Sequence, residues 1–240
     1  MNIALIGYGK MGKIIEDIAL SRGHTITGKS NSEHSIEELN FDNIDVAIEF
    51  TVPHFAAKHI EFCSKKKTPI VVGTTSWDSQ LPYVRDIVTE NEGTLLYASN
   101  FSIGVNIFFE LNKRLAELMS THREYNVEIS ETHHTQKIDA PSGTATSLAN
   151  DILVENKNIS SWIHNENESP RTVLGQFGVV SHRIEGVPGT HEVSYSSEID
   201  TLEIKHTAHS RQGFALGAVL AAEWVQNKKG IFTMEDVIKN

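Results

Sequence analysis

"NIALIGYGKMGKIIEDIALSRGH", Asn2–His24, decides the fold. "NIALIG" is a short apolar strand. Met11, Ile14, Ile15, Ile18 and Ala19 then recur at helical spacing on one face, and Gly23 marks the helix end. Between strand and helix, "GYGKMG" sets Gly7, Gly9 and Gly12 in the G-x-G-x-x-G spacing. Gly7 allows the tight turn, Gly9 lets backbone approach a pyrophosphate, and Gly12 lets the helix lie close to the strand. The helix N-terminus offers unpaired N–H groups and partial positive charge to an anion. The segment Gly7, Tyr8, Gly9, Lys10, Met11 and Gly12 therefore reads as a dinucleotide loop. The plain alternative is three glycines serving only a strand-to-helix turn.

The same texture continues outward. "HTITGKS", "IDVAIEFT", "TPIVVGTT" and "GTLLYASN" are further short strands. They alternate with a helix launched by Pro53 and running to about Ser64, and with another over roughly Ser79–Asn91. Strand–helix–strand repetition implies parallel strands with right-handed crossovers. Strands apolar on both alternations imply helices on both faces. The first part of the chain is thus an α/β, Rossmann-like doubly wound sheet. Ligands in such sheets bind beyond the carboxyl ends of the strands, so Gly73, Thr74, Thr75 and Ala98, Ser99, Asn100, Phe101 should line the cofactor groove. Phe101 either flanks the nicotinamide or packs between domains.

After Asn100 the texture changes. A helix over about Val105–Ser120 leads to the strand "NVEISET", and a second helix covers about Gly143–Asn156. "WIHNENESPR" is polar and turn-rich. "TVLGQFGVVSHRI", "HEVSYSSEI" and "DTLEIKHTA" read as strands, with Gly186, Pro188 and Gly189 turning between the first two. The expectation is a second α+β domain on a mostly antiparallel sheet. "RQGFALGAVLAAEWVQNK" is a helix apolar nearly all round, which calls for burial, and it is assigned back to the first domain. The predicted division is 1–103 plus 210–240 for dinucleotide binding, and 104–209 for substrate binding and oligomerisation.

Composition narrows the function classes. Lysine plus arginine is 21 against 31 for aspartate plus glutamate, a formal charge of −10, which disfavours general nucleic-acid binding. No apolar run suits a membrane span, and the N-terminal segment does not read as a signal peptide. Cys63 is the only cysteine, so no internal disulfide forms and a cytoplasmic setting is expected. The adjacent pair His133-His134 lacks the i, i+4 helical spacing of a zinc motif, and no metal is expected.

The second strand carries a cofactor clue. Folds preferring NAD place an acid roughly 20 residues beyond the glycine loop for the ribose 2′-hydroxyl. Here that region reads "TGKSNS", with Lys29, Ser30 and Ser32 and no acid before Glu33. A lysine and hydroxyls suit a 2′-phosphate, so NADPH is expected to bind at least as well as NADH. The alternative is a solvent-facing Lys29.

"ETHHTQKIDAPSGTA", Glu131–Ala145, concentrates the remaining chemistry. His133 and His134, at a strand end, point to opposite sides. Lys137 follows in a loop closed by Asp139-Ala140-Pro141. Ser142 is a plausible N-cap. Backbone N–H groups at Gly143 and Thr144 would face an anion. An ammonium, imidazoles and a helix end together suit a small carboxylate beside a proton donor.

"HHTQKIDAPSGTA" resembles the signature of the 4-hydroxy-tetrahydrodipicolinate reductase (dihydrodipicolinate reductase) family. The resemblance extends through "GYGKMG", "EFTVP", "VVGTT", "ASNFSIGVN", "HRIEGVPGTHEV", "LEIKHTAHSR" and "FALGAVLAAEWV". It departs where Lys29-Ser30 stands in place of the family's usual acid. The resemblance implies NADH- or NADPH-dependent reduction of a cyclic dicarboxylate imine to tetrahydrodipicolinate, in diaminopimelate and lysine biosynthesis. It assigns proton transfer to His133 and Lys137, and substrate contact to His134, Gly143 and Thr144. It also implies a cytoplasmic homotetramer assembled through the second domain's sheet, whose outward face should then be partly apolar. A two-domain nicotinamide oxidoreductase of another kind, such as an amino-acid dehydrogenase, is the alternative.

Overall fold

The computed structural model describes residues 1–210 and 212–239; Arg211, included in the expected last helix, and Asn240 lie outside them. The chain divides into two compact units, Met1–Asn106 with Gln212–Asn240, and Ile107–Arg211. The first unit begins β1 (Asn2–Ile6), α1 (Lys10–Ser21), β2 (Thr25–Ser30), β3 (Val46–Glu49), α2 (Pro53–Lys65), β4 (Ile70–Val72), α3 (Leu81–Glu90) and β5 (Thr94–Tyr97). Helix α4 (Ile103–Met119) carries the chain into the second unit, β6 (Asn126–His133), α5 (Gly143–Glu155), β7 (Ser161–Glu166), β8 (Gln176–Arg183), β9 (Gly189–Ser196) and β10 (Thr201–Ala208). The first unit closes with α6 (Gln212–Trp224), β11 (Gly230–Phe232) and α7 (Met234–Ile238).

The first unit holds a six-stranded sheet in the order β11-β5-β4-β3-β1-β2, parallel throughout. Its inner strands β1, β3 and β4 are apolar on both alternations because both faces are covered. Ile3 and Leu5 enter a core with Ile15 and Ala19 of α1 and with Ala215, Ala218 and Ala222 of α6. Ala4 and Ile6 enter the opposite core with Ala56 and Ile60 of α2 and with Val84 and Val88 of α3. Helix α6 supplies the second half of the α1 layer, which is why a helix apolar nearly all round returns to this unit. Its small residues permit close approach: a Cβ added at Gly217 would stand 1.7 Å from the Phe101 carbonyl oxygen. Arg22 and His24, following α1, pair with Glu223 of α6 at 2.8 and 2.7 Å.

The second unit holds a five-stranded sheet in the order β10-β9-β6-β8-β7. It is mixed, not mostly antiparallel: β6–β8 and β7–β8 are parallel, while β6–β9 and β9–β10 are antiparallel. Two causes account for the difference. The polar stretch "WIHNENESPR" contains all of β7 but Ser161, and α5 acts as a crossover that brings β7 into the sheet parallel to β6. The turn after β8 does not close a hairpin, because β6 lies between β8 and β9. Helices α4 and α5 cover one face through Phe108, Ala116, Leu148 and Ile152, against Val127, Ile129, Val179 and Val193. The outward alternation on β6 and β9 (Glu128, Ser130, Thr132, Thr190, Glu192, Ser194) is half-buried and polar, while the register puts Val180 of β8 and Ile163 of β7 on the same face, which is therefore partly apolar. Among the described residues no helix is long and apolar enough to cross a membrane.

Candidate active site

Parallel strands bring the loops after β1, β3, β4 and β5 to one edge of the first sheet. The chain reverses direction across that sheet between β1 and β3, the switch point where such folds bind ligands. Gly7 sits there at φ +93°, and a Cβ on it would lie 2.1 Å from the Phe50 carbonyl oxygen. A Cβ on Gly12 would lie 2.8 Å from the Gly7 carbonyl oxygen. Gly9, by contrast, faces open space, with nothing within 4 Å. It is also the N-cap of α1, with no side chain bonded to the helix end and no acid in the first turn. The first-turn N–H groups therefore face a free anion position with an unshielded dipole. This arrangement fits a dinucleotide's pyrophosphate. Lys10 is exposed and Met11 half-buried.

The other predicted cofactor residues divide by role. Thr75 and Ser99 are exposed or partly so, as are Gly73, Ala98 and Asn100. Thr74 is buried; its hydroxyl accepts the Thr51 N–H at 2.7 Å, and its carbonyl accepts from the Trp77 indole at 2.7 Å. Phe101 is 2% exposed and packs on Phe50 in the core beneath α6, so its ring is occupied by packing and offers no face to a cofactor. Lys29 is exposed, as the solvent-facing alternative has it, but it is not unpaired. Its ammonium lies 2.7 Å from Glu16 of α1 and 4.3 Å above the Tyr8 ring, and the Tyr8 hydroxyl donates to Glu16. The Lys29 and Tyr8 contacts lower the Glu16 carboxyl below its usual range, and the Glu16 bond raises the Lys29 ammonium. The sequence pattern looks for an acid on β2 and so passes over Glu16, which stands on α1.

In the second unit the decisive feature is a polar row across three strands. Register sets Ser181 of β8 and His191 of β9 on either side of Glu131 of β6. One step earlier the corresponding row is Val179, Ile129 and Val193, which is apolar core. Glu131 is therefore a core-facing position occupied by a carboxylate, 0% exposed. Such a group persists only when satisfied. Glu131 Oε1 accepts the Ser142 N–H at 2.9 Å and the Ser181 hydroxyl at 2.6 Å. His133 Nδ1 and His191 Nε2 stand 3.3 and 3.6 Å from Oε2, and Arg183 lies 3.5 Å from Oε1. Burial pushes the Glu131 carboxyl up, but the surrounding His133, His191, Ser142 and Ser181 outweigh it and hold the group far below its usual range; His191 Nε2 also lies 3.1 Å from the Ser142 hydroxyl. Burial lowers His191.

His133 is the last residue of β6, on the buried face with Glu131; His134 is half-buried beyond the strand. A carboxylate beside Nδ1 favours the proton on that nitrogen and leaves Nε2 to act. Gly189 makes room for the ring, since a Cβ there would lie 3.0 Å from His133 Nε2. Ser142 caps α5, its hydroxyl accepting the Ala145 N–H at 3.2 Å. Gly143 is exposed, a Cβ added there would meet nothing within 4 Å, and Thr144 is partly exposed, so the α5 N-terminus is open to an anion. Lys137 pairs with Asp139 at 2.8 Å, and Arg183 donates to the Asp139 carbonyl at 2.7 Å. Sequence reasoning does not single out Glu131, Ser181, Arg183 or His191. The alternation Val127, Ile129, Glu131, His133 on one face is the available signal for Glu131. Glu131, His133 and His191 also present ligand atoms within 4.8 Å of one another, a trio that could geometrically hold a metal ion and that no local zinc spacing reveals. A pocket of about 500 Å³ lined by Met119, His122, Tyr125 and Leu202 sits at the opposite end of β6 and contains none of these residues.

Comparison with known proteins covers the whole chain. The family described as "Dihydrodipicolinate reductase, N-terminus" matches residues 1–101, and "Dihydrodipicolinate reductase, C-terminus" matches residues 104–238. The chain is 48% identical to the 4-hydroxy-tetrahydrodipicolinate reductase of Christiangramia forsetii, covering 100% of this chain and 98% of the relative. It is 36% identical to that of Rickettsia bellii, covering 100% and 95%. Its fold is similar to a dipicolinate-bound dihydrodipicolinate reductase from Paenisporosarcina sp., with TM-score 0.75, 23% identity, and 98% and 99% of the two chains covered. An amine dehydrogenase from Mycobacterium smegmatis shares the fold more distantly, with TM-score 0.62, 11% identity, and 98% and 95% covered.

Proposed function

The chain belongs to the dihydrodipicolinate reductase family, and on that premise we propose that it reduces 4-hydroxy-tetrahydrodipicolinate to tetrahydrodipicolinate in the diaminopimelate and lysine pathway. The observation that carries this is the end-to-end match of both family halves. The amino-acid dehydrogenase alternative is not favoured, since its relatives share the fold at 15% identity or less.

A reduced nicotinamide cofactor, when bound, supplies the hydride. The first unit's share is to seat its pyrophosphate on the Gly7–Gly12 turn and the α1 N-terminus. We assign NADPH a use at least equal to that of NADH, supported by the Lys29 ammonium at the end of β2. The second unit's share is the substrate. One carboxylate rests on the N–H groups of Gly143 and Thr144, next to His134. Lys137 balances negative charge that builds on the ring as it is reduced, and its ammonium can donate a proton. Its pairing with Asp139 does not prevent this, because that carboxylate is 59% exposed and such pairs are worth at most about 1 kcal/mol. His133 passes the proton through Nε2 while Glu131 holds its Nδ1 edge. A positioned donor of this kind is worth roughly 10²–10⁴ in rate. The protein is further proposed to be a cytoplasmic homotetramer assembled through the outward face of the five-stranded sheet; a monomer mass in light scattering would refute that.

The direct test generates the dicarboxylate in situ and follows loss of the reduced-nicotinamide absorbance band. Turnover that requires both the substrate and the cofactor is expected; no loss of absorbance with either NADPH or NADH would overturn the assignment.

A further inference from the structure

We infer that Glu16 of α1 sets how the cofactor site discriminates a ribose 2′-phosphate from a 2′-hydroxyl. This rests on the first unit being the nicotinamide-cofactor unit. In doubly wound sheets the adenosine ribose lies at the end of the second strand, where an acid selects NAD and a cation accommodates NADP. Here β2 supplies only the cation, Lys29. Of the hydroxyls beside it, Ser30 is 5% exposed, so its side chain is turned into the protein.

The acid comes from another element. Both Glu16 carboxylate oxygens engage the Lys29 ammonium, at 2.7 and 2.9 Å, and one also accepts the Tyr8 hydroxyl. The glycine loop, α1 and β2 thus meet on one carboxylate. Glu16 is the more enclosed partner, its side chain 18% exposed against 39% for Lys29. Lys29 is further held over the Tyr8 ring at 4.3 Å. The pair is therefore positioned from three sides and does not depend on two free surface side chains meeting.

The consequence is competitive. A 2′-phosphate entering beside Lys29 must share the ammonium with a carboxylate already bonded to it and meets like-charge repulsion from Glu16. A 2′-hydroxyl meets no such penalty and can donate to Glu16, as it would to the acid β2 lacks. Lys29 draws the site toward NADPH, and Glu16 keeps NADH in use.

The test is direct titration of NADPH and NADH into the full chain, followed by cofactor fluorescence, with steady-state turnover as a second readout. Glu16→Gln keeps an acceptor for Tyr8 while removing the charge. It is expected to tighten NADPH, weaken NADH, and raise the ratio of the NADH to NADPH dissociation constants about tenfold, the scale of one charge-assisted hydrogen bond. Lys29→Met is expected to move the ratio the opposite way. A ratio that stays within about twofold of the parent in Glu16→Gln, with both cofactors still bound, overturns the inference while leaving the proposed reaction intact. Failure of the parent chain to bind either cofactor overturns the reading of the unit, and this inference with it.

Discussion

The glycine loop of the first unit and the Glu131 row of the second each border a helix N-terminus, and they are built from opposite materials. The loop is made by leaving atoms out. Gly7 and Gly12 have no room for a Cβ, and Gly9 has open space where one would go. Its six residues are contiguous, and their function is written in backbone. The Glu131 row is made by putting charge in. Its members come from β6, β8, β9 and the start of α5, and a buried carboxylate binds them together. A site of the first kind should fail when atoms are added, and a site of the second kind when charge is removed.

The largest expected effect tests the second region. His133→Ala or Lys137→Ala should lower kcat by about 100-fold, within the range for a positioned proton donor, while the cofactor dissociation constant stays near that of the parent. Undiminished kcat in both variants would move proton transfer elsewhere and dissolve the contrast between the regions. The first region is tested next. Gly9→Val should fold normally, because its side chain enters open space, yet weaken NADPH and NADH binding about tenfold or more by blocking close approach of the pyrophosphate. Gly7→Ala should instead lower stability by about 2–4 kcal/mol through strain and the clash with Phe50, measured by denaturant unfolding. If Gly9→Val binds cofactor normally, the open position is not where the pyrophosphate rests.

The same contrast explains what is legible in the sequence. The parallel sheet, α1 and the glycine loop can be read because each follows from local pattern: apolar alternation, 3.6-residue spacing, three glycines. Helix α5 and its Ser142 cap are equally local. The return of α6 is legible because a helix apolar nearly all round has to be covered. What sequence does not supply is strand order. Nothing local indicates that β6 separates β8 from β9, or that "SWIHNE" completes the sheet as β7 despite its polarity. Without that register, Glu131 has no visible neighbours, and Ser181, His191 and Arg183 are ordinary strand residues. Glu16 is hidden for a related reason: it lies 13 positions before Lys29, on an element of a different type. Short β11 and α7 near the C-terminus are likewise invisible, since three-residue and five-residue elements carry little pattern.

Smaller effects sharpen the claim that charge organises the second region. Glu131→Gln preserves shape and one acceptor for Ser142 but removes the anion beside His133, so kcat should fall by about tenfold with cofactor affinity unchanged. A stability measurement separates this positioning role from packing. The Glu131 carboxyl is held well below its ordinary value of 4.5 in the folded chain. A group depressed on folding contributes stability that is complete above its unfolded value and is lost as pH falls toward the folded one. Unfolding free energy should therefore decline from about pH 4.5 downward, with Glu131 contributing roughly 2–3 kcal/mol of the loss by pH 2. Glu16, Asp139 and Glu223 are also depressed and contribute to the same slope. The comparison must accordingly be between slopes: denaturant titrations from pH 6 to pH 2 should show a shallower acid dependence in Glu131→Gln than in the parent. Parallel slopes would mean that the row is held by shape and hydroxyl bonds alone, and the two regions would then be built more alike than their residues suggest.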